Sequence, residues 1–396
     1  MITFQEAYQK VMHHPLNLGM QEVPLLKSVH RILAEDIHAD RDFPPFDRAT
    51  KDGIAIQFSD VVGTKHQFVI EGDAAAGMPQ QRLQDAKNCL EVMTGAVVPE
   101  HTDTVIMYEH IHIENGKATL NEKVTKGQNI HVQGSDEKKG AKILGKGVRI
   151  TPAEIGVMAS VGKHTVRVLG LPKVCAIATG NELVDVDTLP EPHQIRKSNG
   201  ITLEAALSTL AIEATSLHVM DDKASIKKEL EKALLNNDVL LLSGGVSKGK
   251  FDYLPEVMEI LGVKRIFHRV AQRPGKPFWF GVHEASKTVI FSFPGNPVST
   301  FANYHLYFLP WLHTSWGIPV TQRCAKLSVD FQIDSPLTRF MQVKTTWKEG
   351  TLWATPVTEN GSGDLTSLAQ ADGFILLEPR DAVYTVGEVV PYIKTR

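Results

Sequence analysis

Residues 239–253 read VLLLSGGVSKGKFDY, an apolar run that ends on two glycines and continues into Lys-Gly-Lys. Gly244 to Lys250 fit G-x-x-x-x-G-K, the pattern of a phosphate-binding P-loop. Phe251 stands where that loop needs a Ser or Thr hydroxyl to hold Mg²⁺. The next helical pattern, DYLPEVMEIL, does not open at Lys250, because Phe251 and Asp252 intervene. The stretch is a glycine-lined strand end whose task has to be read from its surroundings.

Those surroundings alternate. KVCAIAT, ATSLHVM, DVLLLSGG and KTVIFSFPG read as strands, and SNGITLEAALSTLA, DDKASIKKELEKALLN and DYLPEVMEILG as helices between them. Such alternation predicts a doubly wound parallel sheet, in which ligands bind at the carboxyl ends of the strands. Elsewhere the texture differs. Residues 3–14 are amphipathic, and LLKSVHRILAEDI (25–37) reads as a second helix. From about residue 40 to 140 short strand patterns dominate, and Asn115-Gly116 between two alternating runs signals a hairpin. TPAEIGVMASVG reads as a helix, and the segments after residue 318 read as a small β domain. The expectation is a mixed α/β multidomain protein.

A chain of 396 residues with 42% hydrophobic and 22% charged residues has material for several cores. Its net charge of −3 speaks against bulk attraction to nucleic acid or to acidic membranes. Cys89, Cys175 and Cys324 are scattered, with no C-x-x-C pair, which suits a reducing compartment. No signal peptide pattern is visible and no run has the 18 or more apolar residues of a membrane span, so a cytoplasmic protein is expected.

Three predicted strand ends are rich in residues suited to a site: ATGNEL (178–183), SGGVSKGKFDY (243–253) and SFPGNPVS (292–299). Gly180, Gly244, Gly245 and Gly295 let the backbone approach an anion, with Ser243, Ser247, Pro294 and Asn296 beside them. Tight turns alone would also explain glycines there. In RVAQRPGKPFWFG (269–281), Arg273 and Lys276 bracket a Pro-Gly turn and could hold one anion together. Glu182, Asp222 and Asp252 fall at strand ends, where carboxylates and substrate phosphates suit Mg²⁺; helix capping competes as the role of both Asp222 and Asp252. The sixteen histidines offer no closed metal-ligand set, and Phe278-Trp279-Phe280 reads as core.

Taken together, FPPFDRATKDG, MTGAVVPEHTDTVIMYE, NIHVQGSDEKKG, ATGNELV, IRKSNG, SGGVSKGKFDY, RPGKPFWFG, SFPGNPVS and GSGDLTSLAQADG resemble, in order along the whole chain, the MoeA family of molybdopterin molybdenumtransferases. The E domain of gephyrin is a eukaryotic relative. The resemblance implies a molybdopterin-binding α/β domain (1–20 and 172–318), a β-rich insert (41–140), a linking domain (21–40 and 141–171) and a C-terminal β domain (319–396). It implies molybdopterin-adenylate and molybdate as substrates, and cleavage of the adenylate with Mg²⁺ to release AMP. Asp52, Thr94, Asp136, Glu182, Asp222, Asp252, Lys276 and Ser367 then sit at the family's functional positions. A homodimer is implied, with the cleft of one subunit served by the insert of the other. Molybdopterin adenylyltransferase and apo-molybdoenzymes are the implied partners. The chain departs from the family pattern at Lys51, Asn181, Arg273 and Gln342. Those departures suggest the alternative of a catalytically weakened pterin-binding or scaffold protein.

Overall fold

Val239–Ser243, the apolar start of the opening stretch, is a strand buried at all five residues. The computed structural model describes residues 1–61, 66–247 and 252–396. Lys250 and Phe251, on which the P-loop comparison turns, lie outside the described residues. The chain forms two units, Met1–Gln21 with Val168–Arg396, and Glu22–Arg167.

In the first unit six strands form one sheet in the order Ala214–Val219, Val174–Thr179, Val239–Ser243, Thr288–Phe293, Trp279–His283, Lys264–His268. The first four run parallel. Trp279–His283 runs antiparallel to them, and Lys264–His268 pairs antiparallel with that strand. Continuous apolar strands such as VLLLS and TVIFSF follow from burial on both faces. Leu203 and Leu207 pack one face together with Phe278, Phe280, Phe291 and Trp311. Ile226, Leu230, Val257 and Met258 pack the other with Trp279. Phe278, Trp279 and Phe280 are all fully buried, as a core strand requires.

Registry aligns the strand ends: Thr179 pairs with Val219, Ala178 with Ser243, and Ser243 with Phe293. The connection from Val174–Thr179 goes to one side of that strand and the next connection crosses to the other. This is the reversal of strand order at which open α/β sheets form a crevice.

The C-terminal strands close on themselves. Thr338–Lys348 pairs with both Thr351–Pro356 and Gly373–Leu377, and Arg323–Leu327 and Val389–Lys394 complete the ring. Closure removes the free edges that a small sheet would otherwise expose. Gln272–Arg273 joins this sheet in parallel with Thr338 and Arg339, so the basic turn is anchored to the C-terminal barrel.

The second unit holds a six-stranded sheet in the order Thr104–Met107, Gly53–Ile56, Asn88–Val92, Gln67–Ala74, Lys117–Leu120, Ile111–Glu114. Asn115 and Gly116, with φ of 49° and 73°, make the expected hairpin turn. Pro152–Ser160 is the expected helix, started by a Thr151–Glu154 capping box. The helix expected over 25–37 does not form. Only Leu25–Ser28 makes a 3₁₀ turn, and His30 then takes a left-handed φ of 68°. The amides of His30, Leu33 and Ala34 bond instead to the carbonyls of Ile150, Val148 and Arg167, so tertiary pairing overrides the local helical pattern.

Candidate active site

The loops that follow the aligned strand ends surround a cleft of about 940 Å³. Gly180, Glu182, Ser243, Gly244, Gly245, Ser247, Asp252, Arg273, Lys276, Pro294, Gly295 and Asn296 all line it. Residues from four separate stretches of sequence are thereby brought together.

The glycines are there for closeness. Gly244 has φ of 103°, and a Cβ on it would lie 2.7 Å from the Thr179 carbonyl oxygen and 2.8 Å from Thr179 Oγ1. Only glycine fits such a turn without strain. The helices that begin at this edge, Ser198–Ser208, Leu254–Ile260 and Pro297–Asn303, have no side-chain cap among the described residues. Phe4–Met12, Pro152–Ser160, Lys223–Asn236 and Leu365–Gln370 are capped by Thr3, Thr151, Asp222 and Asp364. At the start of Pro297–Asn303 the Val298 amide is instead taken by the Ser362 carbonyl at 3.2 Å.

One end of the cleft is acidic. Glu182, Asp252 and Asp221 line it. Burial pushes the Asp221 carboxyl above its ordinary range; an amide bond to Asn181 opposes this, while the charges of Glu182 and Asp252 reinforce it. Asn181 Oδ1 accepts the Asp221 amide at 3.0 Å, which fixes the loop carrying that carboxylate. Asp222, the metal candidate from sequence, turns the other way. Its Oδ2 accepts from the Ser225 amide at 2.9 Å and its Oδ1 from the Ala224 amide at 3.3 Å, so it caps the Lys223–Asn236 helix. Those bonds, the Ser225 ones foremost, hold its carboxyl below the usual range. The carboxylate presented to the cleft is its neighbour, Asp221. The sequence did carry the signal, since the residue just before the first helical position is the one that caps.

Among the described residues no three His, Cys, Asp or Glu side chains form a ready metal cage. Mg²⁺ does not require one, since it takes a few carboxylate oxygens and completes its shell with water and substrate phosphates. Glu182, Asp221 and Asp252 are the cleft carboxylates that could supply such oxygens.

The cleft also has basic lining residues. Arg273 and Lys276 lie on a turn closed by the Val270 amide bonding to the Lys276 carbonyl at 3.0 Å. Arg273 is paired across the sheet with Arg339, which makes an ion pair with Glu359. Gln342 Nε2 donates to Glu359 Oε2 and to Ser367 Oγ, each at 2.8 Å. Ser367 is 1% exposed, donates to the Asp364 carbonyl at 2.7 Å, and does not line the cleft. Its hydroxyl is consumed inside the barrel by Gln342 and by the start of its own helix.

Asp52, Thr94 and Asp136 belong to the second unit. Asp52 Oδ1 accepts from the Thr94 amide at 2.6 Å and from its hydroxyl at 2.8 Å. Asp136 Oδ1 lies 2.7 Å from His131 Nε2, and Arg48 donates to His131 Nδ1 at 3.1 Å. With Nδ1 accepting from the guanidinium, Nε2 is the nitrogen that donates to Asp136. Arg48 and His131 were not legible as Asp136's partners, because Arg48 lies 83 positions from the histidine in sequence.

Comparison with known proteins places the whole chain. Residues 2–162 match the MoeA N-terminal region (domains I and II), 175–314 a probable molybdopterin-binding domain, and 324–395 the MoeA C-terminal region (domain IV). A molybdopterin molybdenumtransferase of Synechocystis is 39% identical over 396 residues, covering 99% of each chain. That of Bacillus subtilis is 34% identical over 412 residues, covering 100% of this chain and 94% of the relative. The crystal structure of a molybdopterin biosynthesis MoeA protein from Pyrococcus horikosii superposes with a TM-score of 0.81 at 31% identity, covering 100% of this chain and 99% of that one. End-to-end identity at this level, on a fold that matches throughout, shows that the chain belongs to the MoeA family.

Proposed function

We infer that this protein acts in molybdenum cofactor biosynthesis as a molybdopterin molybdenumtransferase, taking molybdate and adenylated molybdopterin and releasing AMP. The observation that carries this reading is the lining of one cleft, which holds three carboxylates, two cations and glycine-lined strand ends. The names of the full-length relatives supply the substrate class.

The roles follow from charge and reach. Gly245 and Gly295 line the cleft where the backbone can approach phosphate oxygens, while the Gly244 amide is held by the Phe293 carbonyl at 3.1 Å. Arg273 and Lys276 suit the molybdate dianion, one as a fork and the other as a point charge. Glu182, Asp221 and Asp252 would hold Mg²⁺, which when bound offsets charge on the phosphate oxygens. The chain's own residues then contribute mainly position: groups fixed by backbone bonds hold the pyrophosphate in place and need no rearrangement as charge develops.

Asp52, Thr94 and Asp136 act from the second unit, in our reading through a homodimer in which the insert of one copy serves the cleft of the other. The substrate would come from a molybdopterin adenylyltransferase and the product would pass to apo-molybdoenzymes. No helix among the described residues is long and apolar enough to cross a membrane. Three unpaired cysteines suit a reaction in the cytoplasm. Release of AMP from protein loaded with adenylated molybdopterin, with Mg²⁺ and molybdate present, tests the proposal. Tight binding without release would favour a non-catalytic carrier.

A further inference from the structure

We propose that His218 is a positioning residue of the cleft, whose ring fixes where the Glu182 carboxylate stands relative to Asp221. This deepens the reading above and rests on it, because Glu182 and Asp221 are taken as carboxylates that serve a divalent cation.

His218 stands on the Ala214–Val219 strand, at the edge of the sheet and opposite Ala178 in the register. Its neighbours Leu217 and Val219 pack into the apolar cluster of one face, so alternation turns the imidazole to the other. There Nε2 lies 2.8 Å from the carbonyl oxygen of Gly180. A carbonyl only accepts, so Nε2 carries the proton that makes this bond. The Gly180 amide is held from the same strand, by the Val219 carbonyl at 3.4 Å. Both polar groups of Gly180 are tied to one edge strand, and the imidazole bond is the shorter.

Gly180 is the floor under Glu182. A Cβ on Gly180 would lie 2.6 Å from Glu182 Oε2 and 2.7 Å from Oε1, so the carboxylate folds back over that residue. Whatever fixes the Gly180 peptide therefore fixes the surface on which the carboxylate rests. The Leu183 amide also reaches the Gly180 carbonyl, but at 3.4 Å it is long beside the imidazole bond.

The same two segments meet again one residue further on, where Asn181 Oδ1 accepts the Asp221 amide at 3.0 Å. Residues 180–182 are thus joined to 218–221 through His218, Val219 and Asp221, and each segment carries a carboxylate that lines the cleft. A histidine that only filled space at a strand edge would need no donor. This one places its donor beneath a cleft carboxylate. Groups that hold a metal-binding side chain in place are worth roughly 10- to 100-fold in metal affinity.

The test reads metal binding directly as well as turnover. The purified full chain is titrated with Mn²⁺ in the presence of AMP, and the free ion is followed by its electron paramagnetic resonance. Mn²⁺ takes the same oxygen donors as Mg²⁺. His218→Leu and His218→Val both lose the donor, and Val suits an edge strand, so one folded variant is enough. Either should raise the Mn²⁺ dissociation constant about tenfold. His218→Gln, whose amide can donate to the same carbonyl, should recover most of that loss. AMP release from adenylated molybdopterin should follow the same order, with a higher Mg²⁺ requirement in the donorless variants and turnover at saturating Mg²⁺ little changed. A merely structural histidine would lower Tm and leave the metal requirement where it was. An unmoved Mn²⁺ constant and Mg²⁺ requirement in a folded donorless variant overturns the inference, as does an equal loss in His218→Gln. Only this inference falls then, provided the unaltered chain binds Mn²⁺ and releases AMP. If the unaltered chain does neither, both readings fall.

Discussion

Thr94 clasps Asp52 with two donors, its amide at 2.6 Å and its hydroxyl at 2.8 Å, both on Oδ1. The amide bond foremost, and then the hydroxyl, hold the Asp52 carboxyl below the usual carboxylate range. A carboxyl depressed in the folded state adds stability above its unfolded pKa, and that share is lost as pH falls through the folded value. Thr94→Val keeps the amide and removes the hydroxyl. The Asp52 carboxyl should then titrate at a higher pH than in the unaltered chain, as followed by its carboxyl carbon resonance. An unchanged titration would mean that the hydroxyl contributes nothing.

The Asp221-Asp222 pair should divide by function. Asp221→Asn and Asp252→Ala should each reduce AMP release by about a hundredfold or more, the scale for losing charge stabilisation at a reacting centre. Both should leave Tm nearly unchanged. Asp222→Ala should do the reverse, lowering Tm by removing a helix cap while turnover survives. Full activity in Asp252→Ala, or an inactive but stable Asp222→Ala, would contradict the division.

Mg²⁺ binding has its own signature. Asp221 is raised by burial and by the charges of Glu182 and Asp252, so a cation among these groups should lower its pKa. Titration of the Asp221 carboxyl with and without Mg²⁺ checks this; no movement would place the ion elsewhere.

Gly244→Ala should destabilise the fold by about 2 kcal/mol or more, because it combines a left-handed φ with a backbone clash. The carbonyl oxygen of Thr179, 2.7 Å from the added Cβ, belongs to a central strand and has little room to yield. A urea midpoint equal to that of the unaltered chain would show that the loop adapts.

Glu359→Ala strands the Arg339 guanidinium, whose side chain is 18% exposed and whose partner's is 14% exposed. Removing one member of a buried pair costs roughly 3 kcal/mol, read from the denaturant midpoint. Gln342 should suffer as well, since Glu359 Oε2 accepts its amide. A loss under about 1 kcal/mol, the range of exposed pairs, would show that the pair is solvated.

The sheet was legible because buried parallel strands are written as unbroken apolar runs, and VLLLS and TVIFSF leave no other reading between turn signals. The cleft followed from the sheet, since glycine-rich strand ends converge at a reversal of strand order. What stayed hidden depended on partners distant in sequence. The 25–37 segment has a helical pattern, but its amides are claimed by Val148, Ile150 and Arg167. Ser367 fell in a matching motif, yet its hydroxyl is taken up by Gln342, which stands 25 positions away. Which of two adjacent aspartates faces the cleft was a matter of one peptide's rotation, and the capping rule could have decided it.

Molybdenum transfer is most directly tested by loading the purified full chain with adenylated molybdopterin, adding Mg²⁺, and measuring AMP with and without micromolar molybdate. AMP release should depend on molybdate and be lost in Asp252→Ala. Adenylate that stays bound and intact under both conditions would contradict it.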